Sequence, residues 1–170
     1  MRSAPLWCYR QPDKRMDLMA RAKNAIQIET PLYERDFYLW VEEQARLLRQ
    51  GSLERLDVVK LVEEIEDLGI GAKKAVKSNL VIVLLHLLKH QFQRRRSRSW
   101  RASIVEHRQR LRDDFRTSPS LGGYARSIYG EAYADARARA LAETGLPEPS
   151  FPSEPPYTLE QALDPEFLPD

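Results

Sequence analysis

The chain has 170 residues, of which 42% are hydrophobic and 31% charged, and its formal net charge is +2. A chain of this length removes roughly 70% of its unfolded surface from water on folding, so it needs no covalent staples. Its single cysteine, Cys8, excludes an intramolecular disulfide framework and a multi-cysteine zinc site. The longest apolar run, residues 80–85, is far shorter than the roughly 18 residues of a membrane span. We therefore expect a cytoplasmic protein without a membrane span.

The first segment, residues 1–31, shows no sustained helical or strand period. Its first 29 residues contain six basic and three acidic side chains, a sum of +3, which leaves −1 for the rest of the chain. We expect residues 1–31 to form a flexible or loosely docked leader. A helical domain over residues 32–145 and a C-terminal tail over residues 146–170 follow, and we assign the tail to the same domain.

Hydrophobic periodicity predicts five helices, of which the first spans about residues 33–50 and ends at Gly51. Asp57 is a good N-cap for the second helix, in which apolar residues recur at spacings of three and four. Glycine is unfavourable inside helices, so Gly69 and Gly71 are expected to end this second helix.

The third predicted helix, about residues 72–93, contains the run LVIVLLHLL, whose apolar side chains point in nearly every direction. Such a helix is enclosed by its neighbours. The fourth helix begins near Ser97 or Ser99, either of which can cap it, and ends before Pro119. The fifth spans about residues 124–143. Five helices and no convincing strand predict an all-α fold, a compact helical bundle.

The tail differs in composition from the rest of the chain. Seven of the eleven prolines lie between Pro147 and Pro169, a density that forbids a long helix, although YTLEQAL can form one short turn. Aromatic and leucine residues alternate with these prolines. A disordered tail usually lacks such residues, so we expect an extended tail packed on the bundle.

Several separated motifs carry a resemblance to a known family. They are LYERDFYLWVEEQARLLRQG, LVEEIEDLG, VLLHLLKHQFQ and YTLEQALDPEFLP, in this order within residues 32–169. This set resembles the bacterial family called domain of unknown function 29. The resemblance implies a small all-helical fold and brings no assigned activity, cofactor or substrate.

A basic segment is the first candidate site. Residues 94–116 contain nine arginines and three acidic side chains, a sum of +6. Guanidinium groups bind phosphates and an indole can stack on a base, so this composition is typical of a nucleic-acid or phosphate-binding surface. Two other interpretations stay open: ion pairing with the acidic second helix, where residues 54–68 sum to −4, and simple solvation. The candidate contacts within the stretch from Arg94 to Arg112 are Arg98, Trp100, Arg101, Arg108 and Arg112.

Two histidines are the second candidate site. His86 and His90 are four residues apart and share a helix face, as two metal ligands would. Glu64 and Glu66 of the second helix are predicted to support His86 in a polar core, and the same groups would serve a metal-dependent enzyme. The competing interpretation is a core His86 bonded to one of these carboxylates, with His90 near the surface. The Glu-x-x-His spacing of di-metal bundles does not occur, so we assign no catalytic residue, metal ligand or cofactor.

The favoured function is a non-enzymatic interaction or regulatory module, because small helical bundles bind proteins without any special constellation of residues. The partner would be another protein or a second copy of this chain. Trp40, Tyr157 and Phe167 are candidate contact groups, unless they are ordinary core residues. Nucleic-acid or phosphate binding through the arginines is the alternative, and metal-dependent catalysis at His86 is the third hypothesis.

Overall fold

The structure, a computed structural model, describes residues 31–93 and 97–170. Regular structure in these two ranges is entirely helical, which confirms the predicted all-α class. The chain divides into two compact units, one ending at Val58 and the other spanning Val59–Asp170. The expectation of a flexible leader falls almost entirely on residues 1–30, which lie outside the described residues.

The first unit contains helices α1 (Leu32–Arg35) and α2 (Phe37–Gln50), where the sequence predicted one helix. The chain breaks at Asp36, whose backbone is extended, with φ at −155°. The Asp36 carboxylate accepts a hydrogen bond of 3.0 Å from the backbone N–H of Leu39 and so caps α2. Aspartate favours this N-cap role over a helix-interior position, which explains the break.

A small core follows in the same unit. Trp40 and Leu47 are buried, and Gly51 ends α2 in the left-handed conformation with φ at 71°, as predicted. After a 3-10 turn at Leu53–Arg55, the side-chain oxygen of the buried Gln44 accepts a hydrogen bond of 2.9 Å from the backbone N–H of Asp57. This bond fixes the chain just before the next helix begins.

The longest helix, α3, runs unbroken over Val58–Phe92, so the prediction that one helix ends at Gly69 and another begins afterwards is wrong. At roughly 1.5 Å per residue, its 35 residues span about 52 Å. Glycine costs a helix only about 1 kcal/mol relative to alanine, which good helix formers on both sides can offset. Neither Gly69 nor Gly71 has the positive φ of a helix stop.

Helix α4 spans Arg98–Thr117. The side-chain oxygen of Ser97 accepts a hydrogen bond of 3.2 Å from the backbone N–H of Ser99, so Ser97 is the N-cap, one of the two predicted. The helix ends just before Pro119, in agreement with the prediction. Local capping signals were therefore sufficient to place both ends of this element.

The predicted fifth helix is two helices, α5 (Ser120–Ser127) and α6 (Tyr129–Thr144). They meet at Ile128, where φ is −101° and ψ is 5°, outside the helical region. The apolar spacing on which the prediction of one helix rested does not mark this break. Gly145 ends α6 with φ at 64°, as predicted.

The core of the second unit surrounds the C-terminal half of α3. Every buried residue of α3 lies between Val76 and His90, and α4, α5 and α6 supply further buried residues. Residues of the tail join the same cluster, in which a short helix α7 (Leu159–Leu163) contributes two buried residues. The tail's members of the buried cluster are Phe151, Tyr157, Leu159 and Ala162.

Two tyrosines of α6 hold the tail by hydrogen bonds. The hydroxyl of Tyr133 donates to the carbonyl of Pro152 at 2.7 Å, and that of Tyr129 donates to the carbonyl of Tyr157 at 2.8 Å. Burial raises the pKa of both hydroxyls, because the charged phenolate is disfavoured away from water. The protonated form that makes these bonds is therefore kept through the physiological range.

Candidate interaction surfaces

Arg108 lies inside the fold, with 2% of its surface exposed. Its Nε donates to the carbonyl of Ala162 at 2.8 Å, one terminal nitrogen donates to the carbonyl of Phe167 at 2.9 Å, and the other lies 3.5 Å from the carbonyl of Pro165. Burial lowers the pKa of the guanidinium, although the nearby Asp164 carboxylate opposes this shift. Contrary to the sequence prediction, Arg108 binds the protein's own tail and does not present its charge to an external anion.

Arg98, Arg101 and Arg112 are exposed on α4. Their separations of three and eleven residues are close to one and three helical turns, so the three guanidinium groups lie along one face. Within the parts of the chain that the structure describes, none of them forms an ion pair. Pairing with the acidic second helix, which the sequence left open, is therefore not how these three charges are compensated.

Other arginines of α4 are paired within the helix. Arg110 contacts Glu106 at 2.5 Å and Arg116 contacts Asp113 at 2.8 Å, both one turn away and exposed. Such pairs contribute only about 0.3–0.5 kcal/mol to stability. An open depression near the C-terminal end of the helix is lined by Gln109, Arg112, Asp113 and Arg116.

Trp100, the predicted stacking platform for a base, already contacts a cation of the protein. The Nζ of Lys89 lies 4.6 Å from the centre of the indole ring. The same nitrogen forms an ion pair of 2.6 Å with Glu143, and Lys89 is buried. One face of the partly buried indole is therefore occupied by an internal cation–π contact.

The predicted support of His86 by Glu64 and Glu66 does not exist in the structure. All three residues belong to the continuous helix α3, where Glu66 precedes His86 by twenty residues, or about 30 Å. Such support requires two helices that fold back on each other, and the unbroken helix α3 removes that possibility. Among the described residues, no group of three or more histidine, cysteine or acidic side chains is arranged to hold a metal ion.

The competing interpretation placed His86 in the core and His90 near the surface, and the structure shows the reverse. His90 is buried and its Nδ1 donates to the carbonyl of Pro169 at 3.1 Å. His86 is half-buried, and its Nδ1 has no hydrogen-bond partner among the described residues. Burial and the neighbouring ammonium of Lys89 lower the pKa of His86. Neither histidine contacts a carboxylate of the predicted second helix.

The aromatic residues considered as contact groups are largely packed within the protein. Trp40 is buried, with its ring centre 5.0 Å from that of Tyr33 and 5.8 Å from that of Phe37. Tyr157 is buried and its ring centre lies 5.7 Å from that of the partly buried Phe167. Trp40, Tyr157 and Phe167 therefore serve the two cores.

An exposed apolar surface lies on the N-terminal half of α3. We call residues 59–75 the arm, because no residue of α3 before Val76 is buried. Val62, Ile65 and Leu68 are 49%, 65% and 75% exposed. Their spacing of three residues places them along one side of the helix, in the pattern that normally faces a core.

Charge on the arm is divided along the helix. Residues 63–67 include four carboxylates, Glu63, Glu64, Glu66 and Asp67, and two lysines, Lys73 and Lys74, follow within the arm, with Lys77 just beyond it. Lys77 contacts Glu131 at 2.5 Å and Asp135 at 2.9 Å, and Glu63 contacts Lys60 at 2.7 Å. The arm therefore has an acidic N-terminal part and a basic C-terminal part.

Sequence reasoning missed the arm because it assigned Val62, Ile65 and Leu68 to an ordinary core-facing stripe. Periodicity shows that a helix has an apolar side, and it does not show which chain covers that side. One signal was present: the stripe is narrow and flanked by many charges, unlike the run LVIVLLHLL further along the same helix.

These features define a small, all-helical protein in which an exposed arm extends a helix of the core. Among the described residues, no helix is both long enough and apolar enough to cross a membrane. The family model described as Domain of unknown function DUF29 matches residues 32–168, and the chain belongs to this family, as the resemblance of its motifs predicted. Comparison of the sequence with curated proteins and with solved structures gives no match.

Proposed function

We propose that this chain is a non-enzymatic protein-interaction module whose docking surface is the arm. The observation that supports this proposal is the exposure of Val62, Ile65 and Leu68 along one side of a helix. Contiguous exposed apolar surface rimmed by charges marks interaction sites in soluble proteins. A chain with one cysteine fits a reducing bacterial cytoplasm, which we propose as its location.

The arm is held ready for binding by the rest of its own helix. Residues of α3 beyond the arm, such as Val76, Leu80 and Leu84, are fully buried in the second unit. Because the helix is continuous, this anchoring fixes the direction of the arm and its apolar side before any partner arrives. A preformed surface loses less conformational entropy on binding, which favours affinity.

The shape of the arm selects the class of partner. A single apolar stripe on an isolated helix is covered most completely by another amphipathic helix lying along it. The acidic and basic parts of the arm favour a partner helix with the opposite order of charges. We therefore propose a helical protein segment as the ligand, and no chemistry is required of the arm.

Site-specific photo-crosslinking tests this proposal. A photoreactive amino acid replaces Leu68 in the full chain, and the expressing cells are irradiated before the adducts are identified by mass spectrometry. We expect a discrete covalent adduct with one protein species. The control places the same group at Val105, which is 58% exposed but lies on α4. Absence of an adduct from Leu68, or equal adducts from both positions, would contradict a docking role for the arm.

Nucleic-acid or phosphate binding is the second candidate, and it is supported by the exposed face of Arg98, Arg101 and Arg112. Counterion release makes such binding steeply dependent on salt. Fluorescence anisotropy of labelled single-stranded RNA at low salt should rise with micromolar protein, and an alanine triple variant should lose this response. Arg110→Ala is the matched control, because Arg110 is already paired with Glu106. An unchanged anisotropy with the wild-type chain would exclude this candidate.

A further inference from the structure

We infer that the surface of the bundle beneath the tail is a peptide-binding groove, which residues 146–170 occupy as a ligand from the same chain. An extended, acidic, proline-rich segment of another protein takes the place of the tail when it binds there. The side chains that hold the tail belong to α4, α6 and the C-terminal end of α3, so the groove is separate from the arm. The inference therefore goes beyond the proposed function, and neither depends on the other.

Hydrogen bonds from the bundle reach the main chain of the tail along most of its length. On α6, Arg137 adds to the bonds of the two tyrosines: its Nε donates to the carbonyl of Phe151 at 3.1 Å, and a terminal nitrogen donates to that of Glu148 at 3.0 Å. The carbonyls that accept bonds of 3.1 Å or less from bundle side chains belong to residues 148, 151, 152, 157, 162, 167 and 169. A main-chain carbonyl is the same in every residue, so these bonds recognise the path of a backbone and not a particular sequence.

Buried side chains of the tail are separated by exposed ones. Phe151, Tyr157 and Leu159 are buried, and the edge of the Phe151 ring packs against Phe92 of α3 with the ring centres 5.8 Å apart. The residues between and beside them at positions 153, 154, 156, 158 and 160 are exposed. Peptide-binding domains hold a ligand by main-chain bonds that give affinity and by pockets for separated side chains that give specificity. The tail is bound in both of these ways.

Proline suits the ligand of a groove that is lined by donors. A proline residue has a carbonyl and no N–H, and the carbonyls of Pro152 and Pro169 both accept bonds from the bundle. Pro147, with φ at −65° and ψ at 151°, has the polyproline II conformation. A segment in this conformation is extended before it binds and loses little entropy on binding. A proline-rich segment of another chain brings the same acceptors with the same small loss of entropy.

Charge selects the kind of segment that fits. The tail contains six acidic side chains and no basic one. Three arginines of the bundle lie near its carboxylates, and the pairs are Arg137 with Glu148 and Arg126 with Glu160, both at 3.4 Å, and Arg108 with Asp164. Because the carboxylates of the first two pairs are exposed, these contacts contribute little to affinity. They do favour an acidic segment over a basic one.

A segment of another chain competes with the tail for the groove. Exchange of the tail for a similar segment buries the same kind of apolar surface and forms the same main-chain bonds. The tail is favoured because its link to α6 gives it an effective concentration of about millimolar. The apparent affinity for a free segment is lowered by the small fraction of molecules whose groove is open. A substitution that undocks the tail without altering the groove should therefore raise this affinity.

Fluorescence anisotropy of a labelled synthetic peptide of residues 146–170 tests the groove. The protein is the full chain with Leu159→Asp, which places a charge at a buried position of its own tail. We expect this variant to bind the peptide at least about tenfold more tightly than the wild-type chain, whose tail competes. Pro156→Asp is the matched control, because Pro156 is exposed, and it should bind the peptide no better than the wild-type chain does.

Circular dichroism of the Leu159→Asp variant distinguishes a docked ligand from an indispensable part of the core. A helical variant that binds no peptide would overturn the inference. A variant that loses its helices would overturn it too, because the fold would then require the tail.

A substitution in the groove tests where the peptide binds. Arg137→Met, added to Leu159→Asp, should weaken peptide binding at least about tenfold, since it removes two donors to the backbone of the ligand. Arg139→Met in the same background is the matched control, because Arg139 is exposed on the same helix. Equal binding by the two double variants would place the peptide elsewhere and overturn the inference.

A second peptide tests the preference for acidic segments. It has the same sequence except that lysine replaces its six acidic residues. At low salt it should bind the Leu159→Asp variant at least about tenfold more weakly than the natural peptide, and this difference should shrink at high salt because exposed charges are screened. Equal affinities at low salt would overturn the preference for an acidic partner.

Discussion

Replacing Arg108 by methionine should detach the C-terminal tail from α4 and destabilise the protein. The guanidinium is buried and donates to the carbonyls of Ala162 and Phe167 at 2.8 and 2.9 Å. Methionine preserves much of the apolar volume of the side chain and removes every donor. Both carbonyls would then have to find water or remain unsatisfied in a partly buried position.

The magnitude follows from these two bonds. A hydrogen bond from a charged donor contributes roughly 1.5–3 kcal/mol to stability, so two bonds give about 3–6 kcal/mol. The third contact, at 3.5 Å from Pro165, is too long to add much. Burial of the guanidinium carries a desolvation cost that the variant no longer bears. We therefore expect Arg108→Met to lower the free energy of unfolding by about 3 kcal/mol, the lower end of this range.

Equilibrium unfolding in urea measures this change on the full chain. Arg112→Met is the matched control, because Arg112 is exposed one turn further along α4 and should shift stability by less than about 0.5 kcal/mol. Limited proteolysis should cut the tail of the Arg108 variant faster than that of the control. A loss below about 1 kcal/mol with an equally protected tail would refute the anchoring role of Arg108.

Further predictions concern backbone conformation and pH. Gly145→Ala should destabilise the fold by about 1 kcal/mol, because Gly145 has a φ of 64° that alanine disfavours. Gly123→Ala lies inside α5 with open space around it, so it should stabilise the fold by about 0.5–1 kcal/mol in the same unfolding assay. The opposite order of these two effects would contradict the argument from backbone strain. Burial lowers the pKa of His86, which lies beside Lys89, and of His107 on α4, which lies beside Arg110. The unfolded chain therefore binds more protons near pH 6, and stability present above about pH 6.5 should fall as the pH drops through the folded pKa values. Urea unfolding at pH 7.5 and 5.5 should show this loss, and replacing both histidines by glutamine should reduce it.

Sequence reasoning placed those elements whose ends are set by local chemistry. Ser97 and Pro119 bound α4 as predicted, and Gly51 and Gly145 end α2 and α6 in the left-handed conformation that glycine favours. In each case the residue that marks the end of a helix lies within a few residues of that end. The all-α class followed from the same local evidence, repeated along the chain.

Features that depend on distant contacts were not accessible in this way. In the sequence Arg108 cannot be distinguished from the exposed arginines near it. It becomes a buried hydrogen-bond donor because the tail, more than fifty residues further along the chain, packs against it. Gly69 and Gly71 were given the weight of helix stops, although glycine inside a helix carries a modest cost that context offsets. The metal hypothesis at His86 failed as a direct consequence, because it required the turn that those glycines do not form.

The two halves of α3 show what the pattern of apolar residues can predict about the packing of a helix. Residues 80–88 are apolar at eight of nine positions, and a helix segment with no polar side needs several neighbours, which α4, α5, α6 and the tail supply. The arm has one apolar stripe between charged flanks, and such a stripe needs only one neighbouring helix. The breadth of the apolar surface therefore indicates how many neighbours a helix requires.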